Sequence, residues 1–188
     1  MSEQPKRALG MLSPDEAYVL LTLGSLPHLP DLHSVDVAVA CELPHEEVER
    51  HLEALARAEA IGRKCPATDD SLRYCLSVDQ HRDARCLART VHGWSTEALE
   101  RLVRYYLACA MTARTLLSPS HPGLPGEDTC PSSTQPPFPA DHSDAAFAWL
   151  QERRANLMTV VRDVHASGWR DTARLLTALE QLGRLAPE

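Results

Sequence analysis

Seven of the chain's 14 prolines fall between Ser118 and Ser143 (Pro119, Pro122, Pro125, Pro131, Pro136, Pro137 and Pro139), and this run limits the fold more than any other feature. Each proline removes a backbone donor and fixes φ, so no continuous helix or central strand survives there. With its interspersed glycine, serine and threonine, the stretch 119–143 reads as a mobile loop or linker. Regular structure is thereby pushed into 12–118 and 144–188, with 1–11 read as a flexible N-terminus.

The packing material in those two stretches is aliphatic. Hydrophobic residues make up 44% of the 188 residues but only Phe138 and Phe147 are phenylalanines, a composition that favours helices over sandwiches. Ser13-Pro14-Asp15-Glu16 is a helix start: a hydroxyl to cap free amides, a proline for the first position, and two acids at the positive end of the dipole. Tyr18, Val19, Leu21, Leu23 and Leu26 continue it, and Gly24 and Pro27 help to end it. After a loop from Pro27, Ser34 caps a short apolar helix, Val35 to Leu43.

Pro44 opens a third helix, in which Val48, Leu52, Leu55 and Ala56 recur at helical spacing while Glu46, Glu47, Glu49, Arg50, Glu53 and Arg57 face water. It stops near Ile61-Gly62. Ile61 to Cys65 and Leu72 to Val78 are candidate strands, joined by the turn chemistry of Pro66 to Ser71. Three helices and a hairpin, over 12–80, is the order of a winged helix.

His81 to Val91 reads as helix, punctuated by Gly93. Ser95-Thr96-Glu97 then starts a long amphipathic helix with Leu99, Leu102, Val103, Tyr106, Leu107, Ala110, Met111 and Leu117 on one stripe, so 81–118 is expected to be a helical spacer packing on the winged-helix-like module. Beyond the prolines, Phe147, Leu150, Leu157, Val160, Val161 and Val164 form another stripe up to Gly168, and Trp169, Ala173, Leu176 and Leu179 begin its partner. That is a tetratricopeptide-like helical hairpin over 144–188. The fold class expected is mostly α with a small β-hairpin.

The order of these pieces resembles the region that follows the nucleotide-binding core in bacterial STAND-type (NB-ARC) regulators, where a winged helix leads through a helical spacer into tetratricopeptide-like repeats. The resemblance rests on LSPDEAYVLLTLGSLP, LPHEEVERHLEALARAEAI, LERLVRYYLACAMTARTLLSP and AAFAWLQERRANLMTVVRDVHASGW, which span most of Leu12 to Leu182. The last is the most distinctive, an aromatic-rich AWL-x-x-E-R-x-N-L string being typical of the first repeat. It implies a regulator working through protein partners. The family's ATPase part is absent: no G-x-x-x-x-G-K-[ST] occurs, and Ser77 and Val78 stand where its nucleotide-sensing His-Asp pair would be.

Charge bears on partners. The formal net charge of -7 repels polyanions unless basic groups gather on one face. DNA reading by the third helix would present Pro44-His45-Glu46-Glu47 to the bases, with Glu49 and Glu53 beyond; His45, Arg50 and Arg57, even with His51, do not outweigh those acids. DNA is thus possible but disfavoured, and a protein partner or self-association is the preferred expectation. Candidate contact residues are Tyr105, Tyr106, Trp149 and Trp169, large aromatics near helix ends, and Arg82, Arg85 and Arg89, which share one helical face.

The remaining chemistry is sparse. Six cysteines without a C-x-x-C pair read as free buried thiols. Cys65, Cys75, His81 and Cys86 are the one grouping a metal could use, at a spacing that matches no zinc signature, so no metal or cofactor is assigned. His28, His33, His121 and His142, in proline-rich loops, are expected in solvent, and no residue sits on a nucleophile elbow, so no catalytic residue is assigned; a small helical enzyme or ligand-binding protein, with a pocket that spacing does not reveal, is the third function class after a protein-binding regulator and a DNA reader. No stretch nears the roughly 20 apolar residues of a membrane helix, and the start MSEQPKRALGML has no apolar h-region. A cytoplasmic protein is expected, and Met1 and the terminal Pro187-Glu188 suggest an intact product.

Overall fold

Ser13 begins the first helix by a reciprocal cap. Its Oγ accepts from Glu16 N–H at 3.2 Å and the Glu16 carboxylate accepts from Ser13 N–H at 2.8 Å. The computed structural model describes residues 12–64, 73–91, 96–117, 136–139, 142–166 and 168. Within these, α1 is Pro14–Ser25, α2 Ser34–Cys41, α3 His45–Arg57, β1 Gly62–Lys64, β2 Arg73–Cys75, α4 Val78–Val91, α5 Glu97–Leu117 and α6 Ser143–Ala166. The chain is mostly helical with one small antiparallel hairpin, as the sequence led us to expect. It divides into two units, 1–102 and 103–188, the boundary lying inside α5.

In the first unit three helices precede the hairpin. α1 packs on α2 and α3, and β1 pairs with β2 in the register Gly62 to Cys75, Arg63 to Tyr74 and Lys64 to Arg73. One feature of the hairpin was not anticipated. Leu32, in the loop before α2, exchanges both backbone hydrogen bonds with Tyr74, at 2.8 and 3.1 Å, adding a one-residue third rung beside β2. Leu23 of α1 and Leu26 just after it, Val37 and Ala40 of α2, Val48, Leu52 and Leu55 of α3, Ile61 just before β1 and Tyr74 of β2 are buried as the core. α2 and α3 close in left-handed caps: Glu42 and Glu59 both have φ of 58°, and the amides of Leu43 and Ala60 bond back to Ala38 and Leu55.

α4 packs against α1 more extensively than any other helix does. The contact is close because Gly24 lies on it: a Cβ there would stand 2.4 Å from the Ala84 carbonyl carbon. Ala84 and Ala88 are buried on the same face of α4. The helix starts at Val78, three residues before the expected His81, and the reason is a second reciprocal cap. Ser77 Oγ accepts from Gln80 N–H at 3.1 Å and Gln80 Oε1 accepts from Ser77 N–H at 2.8 Å. Arg101 at the start of α5 donates from Nε and Nη2 to Ala40 O at 3.0 and 2.7 Å, placing a cation at the C-terminal end of α2.

In the second unit Tyr105 and Tyr106 of α5 meet Trp149 of α6 edge-on, with centroids 6.4 and 6.1 Å apart. Phe138, from the proline-rich segment, lies 5.8 Å from the same indole. The partner helix expected from Trp169 onward lies outside the described residues, as do 119–135 of the linker.

Candidate functional site

α3 holds its apolar side inward through Val48, Leu52 and Leu55 and turns the other side to solvent. Glu46, Glu49, Arg50 and Arg57 are exposed; Glu47 and Glu53 are half-buried. His45 Nε2 lies 2.7 Å from Ser34 Oγ and 3.3 Å from Glu49 Oε1, and Ser34 Oγ donates to Glu49 at 3.2 Å. These bonds tie the first turn of α3 to the first residue of α2. His51 stands 3.8 Å from Glu47.

Three cations of this surface are already engaged. Arg57 Nε donates to Glu53 Oε1 at 3.3 Å, Arg63 of β1 donates to the same carboxylate, and Lys64 Nζ donates to Asp31 Oδ1 at 2.5 Å. Arg50 is the one arginine of α3 with no carboxylate on it among the described residues. Four carboxylates against two guanidiniums leave the outward side of the helix acidic. The same acids act on Tyr74: burial and then the Glu53 charge raise its phenol above the ordinary 10.0.

The other sequence-selected groups scatter. On α4, Arg82 is exposed and donates to Asp79 at 2.7 Å, Arg85 is half-buried and Arg89 exposed. Tyr105, Tyr106 and Trp149 were expected as contact anchors, but their rings are buried in the second unit, where they pack on one another. Trp169 lies outside the described residues. Cys75 is half-buried, Cys86 exposed and Cys65 outside the described residues; His81 is buried with Nε2 on Leu26 O at 2.9 Å. Among the described residues no three His, Cys, Asp or Glu side chains group as metal ligands do.

Two loop histidines differ from expectation. His33 is buried, and His28 is half-buried with Nε2 on Leu76 O at 2.8 Å, its ring 5.1 Å from that of His81. Proline spacing marked this segment as a loop without showing that the loop is laid across β2; His142 is exposed and His121 lies outside the described residues. Cys41 is buried, which pushes its thiol up to about 11 despite a hydrogen bond with Thr22 and the charge of Arg101. That sulfur stays protonated at neutral pH.

Compared with known proteins, the chain matches no family model, no curated protein and no solved structure. Among the described residues no helix is long and apolar enough to cross a membrane.

Proposed function

We propose that this chain is a non-catalytic regulatory protein acting through protein–protein interaction, with the outward side of α3 as its contact surface. The observation that carries the reading is the accessibility of that helix together with its acidity: Glu46, Glu49 and Arg50 are exposed while Arg57, Arg63 and Lys64 are held by carboxylates of the same unit. Such a surface complements a basic patch on a protein and repels a phosphate backbone. The resemblance to the winged-helix and repeat region of STAND regulators, without their ATPase core, agrees with this role. A cytoplasmic location belongs to the same reading.

A photo-crosslinking residue at position 50 tests it. In native lysate it should give a discrete protein adduct that high salt and the E46K/E49K variant both suppress. An adduct unchanged by E46K/E49K removes α3 as the surface. DNA reading through His45, Arg50 and Arg57 is the second possibility, favoured by the exposure of α3, and it requires low-salt retention on duplex that R50A/R57A abolishes.

A further inference from the structure

α6 turns Val160, Val161 and Val164 inward and Arg154, Met158, Arg162 and His165 to solvent. At 3.6 residues per turn these last four lie within about 80° of arc, with the exposed Gln151 among them, so they form one stripe. Met158 is one of three large apolar side chains left exposed among the described residues, and it stands between the two arginines. Neither Arg154 nor Arg162 has a carboxylate on it among the described residues. The acids of the same stretch are turned aside: Glu152 and Asp163 are half-buried, and Glu152 is bound to Arg153 at 2.8 Å. A chain of formal net charge -7 thus carries an unneutralised basic stripe with an apolar centre.

We propose that this stripe docks on the outward side of α3 in a second copy of the chain, so that copies join head to tail. The inference rests on the reading of α3 as a contact surface and names its partner. Charge selects the occupant. α3 gathers Glu46, Glu47 and Glu49 at its start, Glu46 being exposed and bound to no cation among the described residues, and Arg50 and Arg57 follow. α6 likewise begins with an acid, Asp144, and carries its exposed arginines further on. Set antiparallel, the helices of the two copies therefore match: Arg162 stands over Glu46 and Glu49, Arg50 lays its aliphatic stem on Met158, and Arg154 lies by Glu53.

Like charges set the symmetry. Two acidic α3 surfaces repel one another, as do two α6 stripes, which disfavours a two-fold contact of either surface with itself. Joining unlike surfaces adds copies until a ring closes or a filament extends. One pair of helix faces is a small contact, so the association is weak and falls with salt.

The test uses the purified full chain in sedimentation equilibrium from about 1 μM to about 1 mM. Mean mass should rise with concentration. Taking salt from about 0.1 M to about 1 M shortens the Debye length from about 10 Å to about 3 Å and should lower the association constant at least about tenfold. E46K/E49K and R154E/R162E should each associate at least about tenfold more weakly than the parent. An equimolar mixture of the two should recover association, because every α3–α6 pairing between them again joins opposite charges. A crosslinker at position 50 should join α3 of the purified chain to the α6 peptide that holds Met158. A parent that stays monomeric, association unchanged in R154E/R162E, a mixture that recovers nothing, or retention of the parent on duplex that R154E/R162E abolishes would each overturn the head-to-tail contact. If position 50 captures a different protein from lysate, suppressed by E46K/E49K, while the purified chain stays monomeric, α3 remains a contact surface and the second copy is removed. Should either variant fail to fold, the parent's dependence on concentration and salt and its crosslinked peptide decide the matter alone.

Discussion

Gly24 shows how one missing side chain sets a helix crossing. Its ideal Cβ would lie 2.4 Å from Ala84 C, 2.5 Å from Ala84 O and 2.7 Å from Arg85 N, all backbone atoms that no rotamer change can move. Gly24→Ala raises helix propensity by about 1 kcal/mol, but overpacking a fixed contact costs about 1–3 kcal/mol. Because the clash is with main chain, the second effect wins and the variant is destabilised by up to about 2 kcal/mol net. Urea unfolding measures it; a midpoint equal to or above that of the parent would show that α4 can shift away freely. The sequence marked Gly24 only as a helix-ending residue, since a residue's own neighbours do not say which distant backbone will approach it. His28 was hidden for the same reason: its partner Leu76 is far away in sequence.

At the scale of elements, legibility followed periodicity and local capping. α3 and α5 were readable because their apolar stripes run over several turns, and α1 because Ser13, Pro14 and Glu16 all signal a start. The start of α4 was missed although Ser77-Val78-Asp79-Gln80 carries the same capping pattern, since the residues had been read as the end of a strand. Phe138 was unreadable in another way: a lone aromatic among prolines has no period, yet it packs on Trp149. That indole joins α5, α6 and the 136–139 segment, and its Nε1 has no hydrogen-bond partner among the described residues. Its contribution is therefore ring packing, and Trp149→Ala should destabilise the protein by about 3–5 kcal/mol. Trp149→Phe keeps a ring in place and leaves no polar group stranded, so its cost should be about 1–2 kcal/mol. Equal costs for the two substitutions, read from thermal or urea unfolding, would mean that the indole hydrogen is bonded after all.

Over the whole molecule, shape and charge favour different partners, and charge is the easier of the two to alter. The order of α1, α2, α3 and the hairpin leaves one side of α3 outward, while the chain carries a formal net charge of -7 and places Glu46 and Glu49 on the exposed side of that helix. Changing both glutamates to lysine adds four units of positive charge, taking the net from -7 to -3, and places two ammonium groups on the outward side of the helix. Each phosphate contact so gained releases condensed counterion, so affinity for duplex should fall steeply with salt, by a slope of about 0.9 per contact. The parent should show no mobility shift with random duplex at about 50 mM salt, and E46K/E49K should show one that about 200 mM salt abolishes. A shift by the parent at low salt would mean that Arg50 and Arg57 outweigh the acids around them and would return α3 to DNA reading. If neither protein shifts, the outward helix lacks the fit to a groove and DNA reading through it is removed.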